Sequence, residues 1–179
     1  EALKEIKSLS KQHNNAPIVC SGDFLDRWNA PAELVNFLLV HMPHVYSVIG
    51  NHDAPNHRLE DMHRSAFWTL VKAGCITVIE RDKPVGIGPI TLHGFSCGEE
   101  IKPLLKPSGL ALNMAVVHSY VWSKTEGTGF PGAPEDNRYS SFIRKAQGYD
   151  VCLTGDNHNT FLIEKEGRPT LKWKFWQSL

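Results

Sequence analysis

The stretch VCSGDFLDRW, residues 19–28, passes from an apolar segment directly into two carboxylates and an arginine. In α/β proteins, binding sites lie in the loops at the carboxyl ends of the strands. An isolated Asp23 would more often cap a turn or a helix than bind a ligand. Its meaning therefore depends on which other polar residues follow a strand in the same way.

Strands and helices alternate on both sides of this stretch, as judged from apolar periodicity and from Gly and Pro punctuation. Helices are predicted at residues 1–13, 31–41, 58–74 and 137–148. Strands are predicted at residues 17–21, 44–49, 75–80, 90–95, 114–121 and 150–155, followed by a hairpin of 160–165 with 170–176. This alternation predicts an α/β fold. Residues 1–179 are long enough for one sizeable core, so we expect a single domain.

Composition narrows the range of functions. Lys plus Arg and Asp plus Glu number 19 each, so the chain lacks the strongly basic character of proteins held on nucleic acid mainly by charge. No long apolar run suggests a membrane segment. The four cysteines form no CxxC pair. We therefore expect reduced thiols, a cytoplasmic location and no contact with a membrane.

Four polar motifs each follow an apolar strand: SGDFLDR, IGNHD, VVHSY and TGDNH. Carboxylate and amide oxygens suit hard divalent cations, whereas imidazole suits manganese, iron and zinc. A mixed set of this kind is what a two-metal hydrolytic centre needs. The candidate residues are Asp23, Asn51, His52, His118, Asp156 and His158.

The order of these motifs resembles that of the calcineurin-like metallophosphoesterases. GDFLD (22–26) and GNHD (50–53) match the family motifs without change, and VVHS supplies the family's lone histidine, His118. GDNH (155–158) departs from Gly-His-x-His, because Asp156 stands where the first histidine would be. The resemblance spans residues 17–160. It implies a layered sandwich of two mixed β-sheets flanked by helices.

The resemblance also implies a role for each matching residue. Asp23 would bridge two divalent metal ions, Asn51, His118 and Asp156 would complete the second metal site, and His158 would bind the first. His52 would be the catalytic imidazole that assists the leaving group. Asp26, Arg27 and Asp53 would orient the ligands without binding metal. The carboxylate of Asp156 favours manganese, although iron or zinc would also suit the set.

The family's first motif, Asp-x-His, has no counterpart before residue 22. That motif supplies two ligands of the first metal and lies on the first strand of the fold, so we expect the N-terminal strand to be missing. The sequence starts with Glu1 inside a predicted helix, which favours a fragment over the loss of a metal. The C-terminal end, LKWKFWQSL, is also abrupt. A chain without Asp-x-His should hold one ion weakly and be nearly inactive by itself.

The stretches around residues 24–39, 50–74 and 148–158 look most like the DNA-repair exonuclease branch of the family, found in bacteria and phages. This resemblance implies cleavage of DNA phosphodiesters by a water that two manganese ions activate, and an ATPase subunit or a homodimer as partner. Two alternatives stay open. The substrate could be a small phosphoester or a nucleotide, or the chain could be an inactive metal-binding relic that serves as an interaction module.

Aromatic residues in the loop after His118 offer contacts to DNA. Tyr120, Trp122 and Phe130 could stack on unpaired bases while Lys124 contacts phosphate, or the rings could pack inward. The histidines that match no family motif are predicted to be structural, surface or helix residues: His13, His41, His44, His57, His63 and His93.

Overall fold

The computed structural model describes residues 1–107, 109, 111–159 and 161–163. The first part of the chain is built from helices α1 (Ala2–Gln12), α2 (Ala32–His41) and α3 (Ala66–Lys72) and from strands β1 (Ile18–Cys20), β2 (Val45–Ser47) and β3 (Ile76–Val78). The second part contains β4 (Val85–Ile87), β5 (Ile90–Phe95), β6 (Leu112–His118), α4 (Tyr139–Lys145) and β7 (Val151–Gly155). Short 3-10 segments lie at Pro55–His57, Leu59–Arg64 and Glu135–Asn137.

The strands form two sheets. The first has the order β1-β2-β3 and is parallel throughout the described strands. The second has the order β4-β5-β6-β7, in which β4 runs antiparallel to β5 and the other neighbours are parallel. Together with the flanking helices, this arrangement confirms the predicted α/β class and its sandwich of two sheets.

Alternating side chains of β6 show how the layers are filled, because successive residues of a strand point to opposite faces. Met114 and Val116 pack with Val48 and Ile79 in the core that contains residues of both sheets. Ala115 and Val117 pack on the other face, where α4 contributes Phe142. A third cluster joins the first sheet to α2 and α3, with Leu38 and Phe67 among its fully buried members.

The predicted helix 58–74 is wrong as a single element. A 3-10 segment covers Leu59–Arg64, and the chain becomes extended at Ser65 before α3 begins. The Ser65 hydroxyl accepts a hydrogen bond from the backbone N–H of Trp68 at 3.1 Å, as an N-cap does. The apolar repeat continues across this break, so periodicity alone could not reveal it.

The other predicted elements are present with small changes at their ends, and β4 is an additional strand. The predicted hairpin of 160–165 with 170–176 lies outside the described residues, apart from 161–163. None of the helices in the described part of the chain is long and apolar enough to cross a membrane.

Candidate metal centre

The ends of β1, β2, β6 and β7 bring the polar motifs to one rim of the sandwich. His118, the last residue of β6, pairs in register with Gly155 at the end of β7. One ligand atom each from Asp23, His118 and Asp156 lies within 4.8 Å of the others. Residues 133 positions apart in sequence are therefore neighbours in space, as the strand-end pattern predicts.

Asn51 belongs to the same cluster. Its side-chain oxygen lies 2.8 Å from Nε2 of His118, and Oδ2 of Asp23 lies 3.4 Å from the same nitrogen. Four of the five predicted metal ligands are thus close together: Asp23, Asn51, His118 and Asp156.

The hydrogen bonds of His118 indicate why a cation fits this cluster. Nδ1 lies 2.8 Å from the backbone carbonyl oxygen of Ser21, so Nδ1–H is the donor to that carbonyl. In the neutral ring, Nε2 is then an acceptor, and it faces the oxygens of Asn51 and Asp23. A divalent cation bound between these acceptor atoms would satisfy all of them at once. A histidine whose second nitrogen donates to a carbonyl is also the usual form of a metal-binding imidazole.

Two of the carboxylates stand on backbone that side chains rarely adopt. Asp23 has a φ of 50° and Asp156 a φ of 75°, both in the left-handed region. Such conformations cost free energy and persist where the surrounding structure holds them in place, often at functional sites. The neighbouring motif loops pack so closely that a Cβ atom at Gly50 would collide with the backbone of Asp23, and one at Gly155 with the carbonyl of Ser21. This packing holds the strained carboxylates beside His118.

Asp53 is the buried support of the centre. Its carboxylate accepts backbone hydrogen bonds from Phe24 (3.2 Å), Leu25 (3.0 Å) and Gly50 (3.0 Å), which join the loop of Asp23 to the loop of Asn51. Burial raises the pKa of Asp53 to about 6, because desolvation of the carboxylate outweighs these three bonds. The placement suits the predicted orienting role.

His52 lies on the exposed side of the centre. Its backbone N–H donates to Oδ1 of Asp23 at 2.9 Å, and its ring Nδ1 lies 2.8 Å from the carbonyl oxygen of Asp26. With Nδ1–H donating to that carbonyl, Nε2 is the ring atom left for proton exchange. Asp26 thus acts on His52 through its backbone. Its carboxylate instead forms a 3.4 Å pair with Arg27, and both of these side chains are largely exposed.

His158 is not brought into the cluster. It is exposed, and the group of three converging ligands does not include it. Within the described residues, no second group of three such side chains is found. The arrangement therefore matches the predicted second metal site more fully than the first.

Among the other histidines, His57 makes a contact that the sequence did not suggest. It lies on the surface as predicted, but its Nδ1 is 2.9 Å from the carbonyl oxygen of Asn51 and its ring centre is 6.0 Å from that of His52. Asn56 and His57 both have left-handed backbone, for which an asparagine after a proline is only a weak sequence signal. His93 is buried against Tyr149 and bonds Asn113, as its structural interpretation predicts. Burial lowers the pKa of His93.

The aromatic residues in the loop after His118 were predicted either to stack on bases or to pack inward, and the structure distinguishes these alternatives. Trp122 is buried and donates to the carbonyl of Pro134 at 2.8 Å, so it is not available for stacking on a base. Tyr120 is half-buried, and its hydroxyl donates to the carbonyl of Thr128. Phe130 is 53% exposed and packs edge-on against Tyr120. Of the three rings, Phe130 is therefore the one that remains exposed.

A cavity of about 470 Å³ adjoins the cluster, and Asn51, His118 and Asp156 are among its lining residues. Its apolar lining includes Ile101, Val117, Tyr120 and Phe142. Acidic residues also line it, namely Glu99, Glu100 and Asp136, together with one lysine, Lys145, that pairs with Glu100 at 2.7 Å. The volume is in the range of small-ligand pockets.

Cys97 is part of the cavity wall as well. Burial, and then the negative charges of Asp23 and Asp53, raise its pKa to about 11, which keeps it in the thiol form at neutral pH. A thiol is a poor metal ligand compared with a thiolate. All four cysteines are free.

Comparison with known proteins agrees with the geometry. A family model described as calcineurin-like phosphoesterase matches residues 1–160 of the chain. No curated protein matches it.

Proposed function

Because the chain belongs to the calcineurin-like phosphoesterase family, we propose that it is a metal-dependent hydrolase that cleaves DNA phosphodiesters from a strand end. The observation that carries the metal dependence is the convergence of Asp23, His118 and Asp156, with Asn51 2.8 Å from His118. Three oxygen donors and one imidazole suit manganese better than a softer ion.

The chain's own residues divide the work between binding and proton transfer. Asp23, Asn51, His118 and Asp156 would hold a divalent cation, and the chemistry such cations supply is polarisation of the phosphoryl group and activation of water. His52, oriented by the carbonyl of Asp26, can deliver a proton from Nε2 to the departing oxygen. Asp53 keeps the two ligand loops together throughout.

The cavity supports removal of one terminal nucleotide. Its size suits a single nucleoside rather than a duplex, and a nucleoside bound there would lie beside His118 and Asp156, which line the cavity. Phe130 offers an exposed ring for a neighbouring base. The free cysteines further support our proposal of a reducing, cytoplasmic location.

A second candidate, hydrolysis of a small phosphoester, is favoured by the charge of the same cavity. Glu99, Glu100 and Asp136 outnumber Lys145, whose charge is already paired with Glu100. This lining repels a polyanion but tolerates a substrate with a single phosphate.

The test is a manganese-dependent assay with three substrates: linear single-stranded DNA, circular single-stranded DNA and bis(p-nitrophenyl) phosphate. Slow release of mononucleotides from linear but not circular DNA is the expected result, because residues 1–21 contain no Asp-x-His to supply ligands of the first metal. Cleavage of the small diester without any cleavage of DNA would overturn the DNA proposal in favour of the second candidate. No hydrolysis of any substrate with manganese, iron or zinc would indicate a relic.

Asp136→Asn serves as a matched electrostatic variant, because Asp136 lines the cavity outside the ligand cluster. On a DNA substrate, its removal should raise kcat/KM severalfold at low salt, with little change on the small diester. An equal effect on both substrates would contradict the electrostatic argument.

A further inference from the structure

The loop that carries Asp156 contains a buried amide that the catalytic account leaves without a role. Asn157 follows Asp156 directly, and its side chain is among the few buried polar ones in the described chain. Its burial contrasts with that of its neighbour His158, which is exposed. A buried amide is retained at a cost unless its hydrogen bonds are satisfied.

Both ends of this amide are bonded. Nδ2 donates to the carbonyl oxygens of Val121 at 2.9 Å and Thr128 at 3.4 Å. Oδ1 accepts from the backbone and side-chain nitrogens of Asn159, at 3.0 and 3.2 Å. The side chain thus connects the loop after β7 with a segment about thirty residues earlier.

That earlier segment, residues 121–128, directly follows Ser119 and Tyr120, which line the cavity. It is closed by a hydrogen bond from Thr128 N–H to Ser123 O (3.1 Å) and another from Ser123 N–H to the Thr128 hydroxyl (2.9 Å). The carbonyl of Thr128 also accepts from the hydroxyl of Tyr120, which lines the cavity. The bonds of Asn157 therefore run from the metal-ligand loop to a segment that contacts the cavity-lining residue Tyr120.

This connection supports the backbone conformation of Asp156. Its left-handed backbone, with φ of 75°, requires support from outside its own turn. Its carboxylate is one of the three converging ligands, and the amide of Asn157 ties its loop to residues 121–128, in addition to the close packing of Gly155 on Ser21.

We infer that Asn157 is a positioning residue for the metal centre, which holds Asp156 in its ligand position and couples cation binding to the order of residues 121–128. The inference rests on the proposed metal centre. It assigns Asn157 no contact with the cation or with substrate.

The experiment compares the whole protein with Asn157→Ala and with the matched control Asn159→Ala, which changes the same residue type in the same loop. Manganese binding is measured by calorimetry, and hydrogen exchange of residues 121–128 is followed by mass spectrometry with and without Mn²⁺. Asn157→Ala should raise the Kd for Mn²⁺ by roughly tenfold or more, the effect expected for groups that orient ligands. Asn159→Ala should change it less than about threefold, because the backbone N–H of Asn159 remains.

Hydrogen exchange distinguishes coupling from a purely structural role, because a purely structural role would leave the effect of Mn²⁺ on residues 121–128 unchanged. Mn²⁺ should slow exchange of residues 121–128 in the wild type and in Asn159→Ala, but not in Asn157→Ala. A third variant, Asn157→Ser, keeps one hydroxyl donor and should fall between them if the alanine variant folds poorly.

Two outcomes would overturn the inference. An unchanged Kd in folded Asn157→Ala, or equal protection of residues 121–128 by Mn²⁺ in that variant, would show that Asn157 only stabilises the fold. If the wild type binds no Mn²⁺, the proposed metal centre itself fails, which the calorimetry of the wild type distinguishes from the failure of the coupling.

Discussion

The candidate metal centre has a buried half and an exposed half that are built differently. In the buried half, His118 is 2% exposed at its side chain, and Asp53 bonds three backbone N–H groups. In the exposed half, His52 and His57 are at the surface, and the Asp26 and Arg27 side chains are 60% and 67% exposed.

The difference indicates which part of the site the fold organises by itself. In the buried half, close contacts at glycines, buried hydrogen bonds and left-handed backbone hold the ligand atoms within 4.8 Å of one another. The exposed half is held mainly through backbone contacts, such as the one from His52 to the Asp26 carbonyl. We therefore expect substitutions in the buried half to affect metal binding and stability, and substitutions in the exposed half to affect turnover alone.

The largest effect is expected for Asp23→Asn, which keeps the shape of the side chain and removes the charge shared by the ligand cluster. Turnover with Mn²⁺ should fall roughly 1000-fold or more, since loss of a charged ligand would remove several kcal/mol of transition-state stabilisation. Mn²⁺ affinity should fall as well, which calorimetry measures. The control is Asp26→Asn in the same loop, which should lower turnover less than about threefold because its carboxylate is exposed.

A loss of activity in Asp26→Asn as large as that in Asp23→Asn would break the comparison. It would mean that the carboxylate of Asp26, and not only its backbone carbonyl, takes part in the centre.

His52→Ala should have the next largest effect, a fall in kcat of roughly a hundredfold with the Kd for Mn²⁺ nearly unchanged. A general acid contributes on that order, and an imidazole bonded through Nδ1 to a carbonyl can act without binding the cation. Steady-state kinetics and calorimetry on the same preparation separate the two quantities.

His57→Ala is the matched control for His52→Ala, because both rings are exposed and their centres lie 6.0 Å apart. Its kcat should change only severalfold. Loss of metal together with activity in His52→Ala would instead make His52 a ligand.

The smallest effect concerns stability. Asp53→Asn replaces one acceptor oxygen by an NH₂ group, so at least one of the three backbone N–H groups around it loses its partner. The free energy of unfolding in the absence of metal should fall by about 1–3 kcal/mol. Denaturant titration measures this, and Asp61→Asn, a loosely paired acid at 3.9 Å from Arg64, should stay within about 0.5 kcal/mol of the wild type.

The features predicted correctly from the sequence are those with a regular pattern. Strand β5 is found at Ile90–Phe95 as predicted, and the polar residues after β1, β2, β6 and β7 meet because parallel strands share an edge. The break at Ser65 was missed because the apolar repeat runs through it. Strand β4 was missed because three residues around Gly86 carry too short a pattern.

The supporting contacts could not be predicted for a different reason. The bonds from Asn157 to Val121 and from Asp53 to Leu25 join side chains to backbone across 36 and 28 residues. Neither contact has a periodicity or a spacing that a single sequence displays. His158 is exposed, and its role as a ligand of the first metal stays a prediction.

The most direct test of the centre is a crystal structure of the protein soaked with Mn²⁺, with anomalous scattering recorded at a wavelength where manganese contributes. We expect an anomalous peak about 2.0–2.3 Å from the carboxylates of Asp23 and Asp156 and from Nε2 of His118. The oxygen of Asn51 should complete the set, and Nδ1 of His118 should keep its bond to Ser21. A fully occupied peak elsewhere, with none between these side chains, would contradict the account.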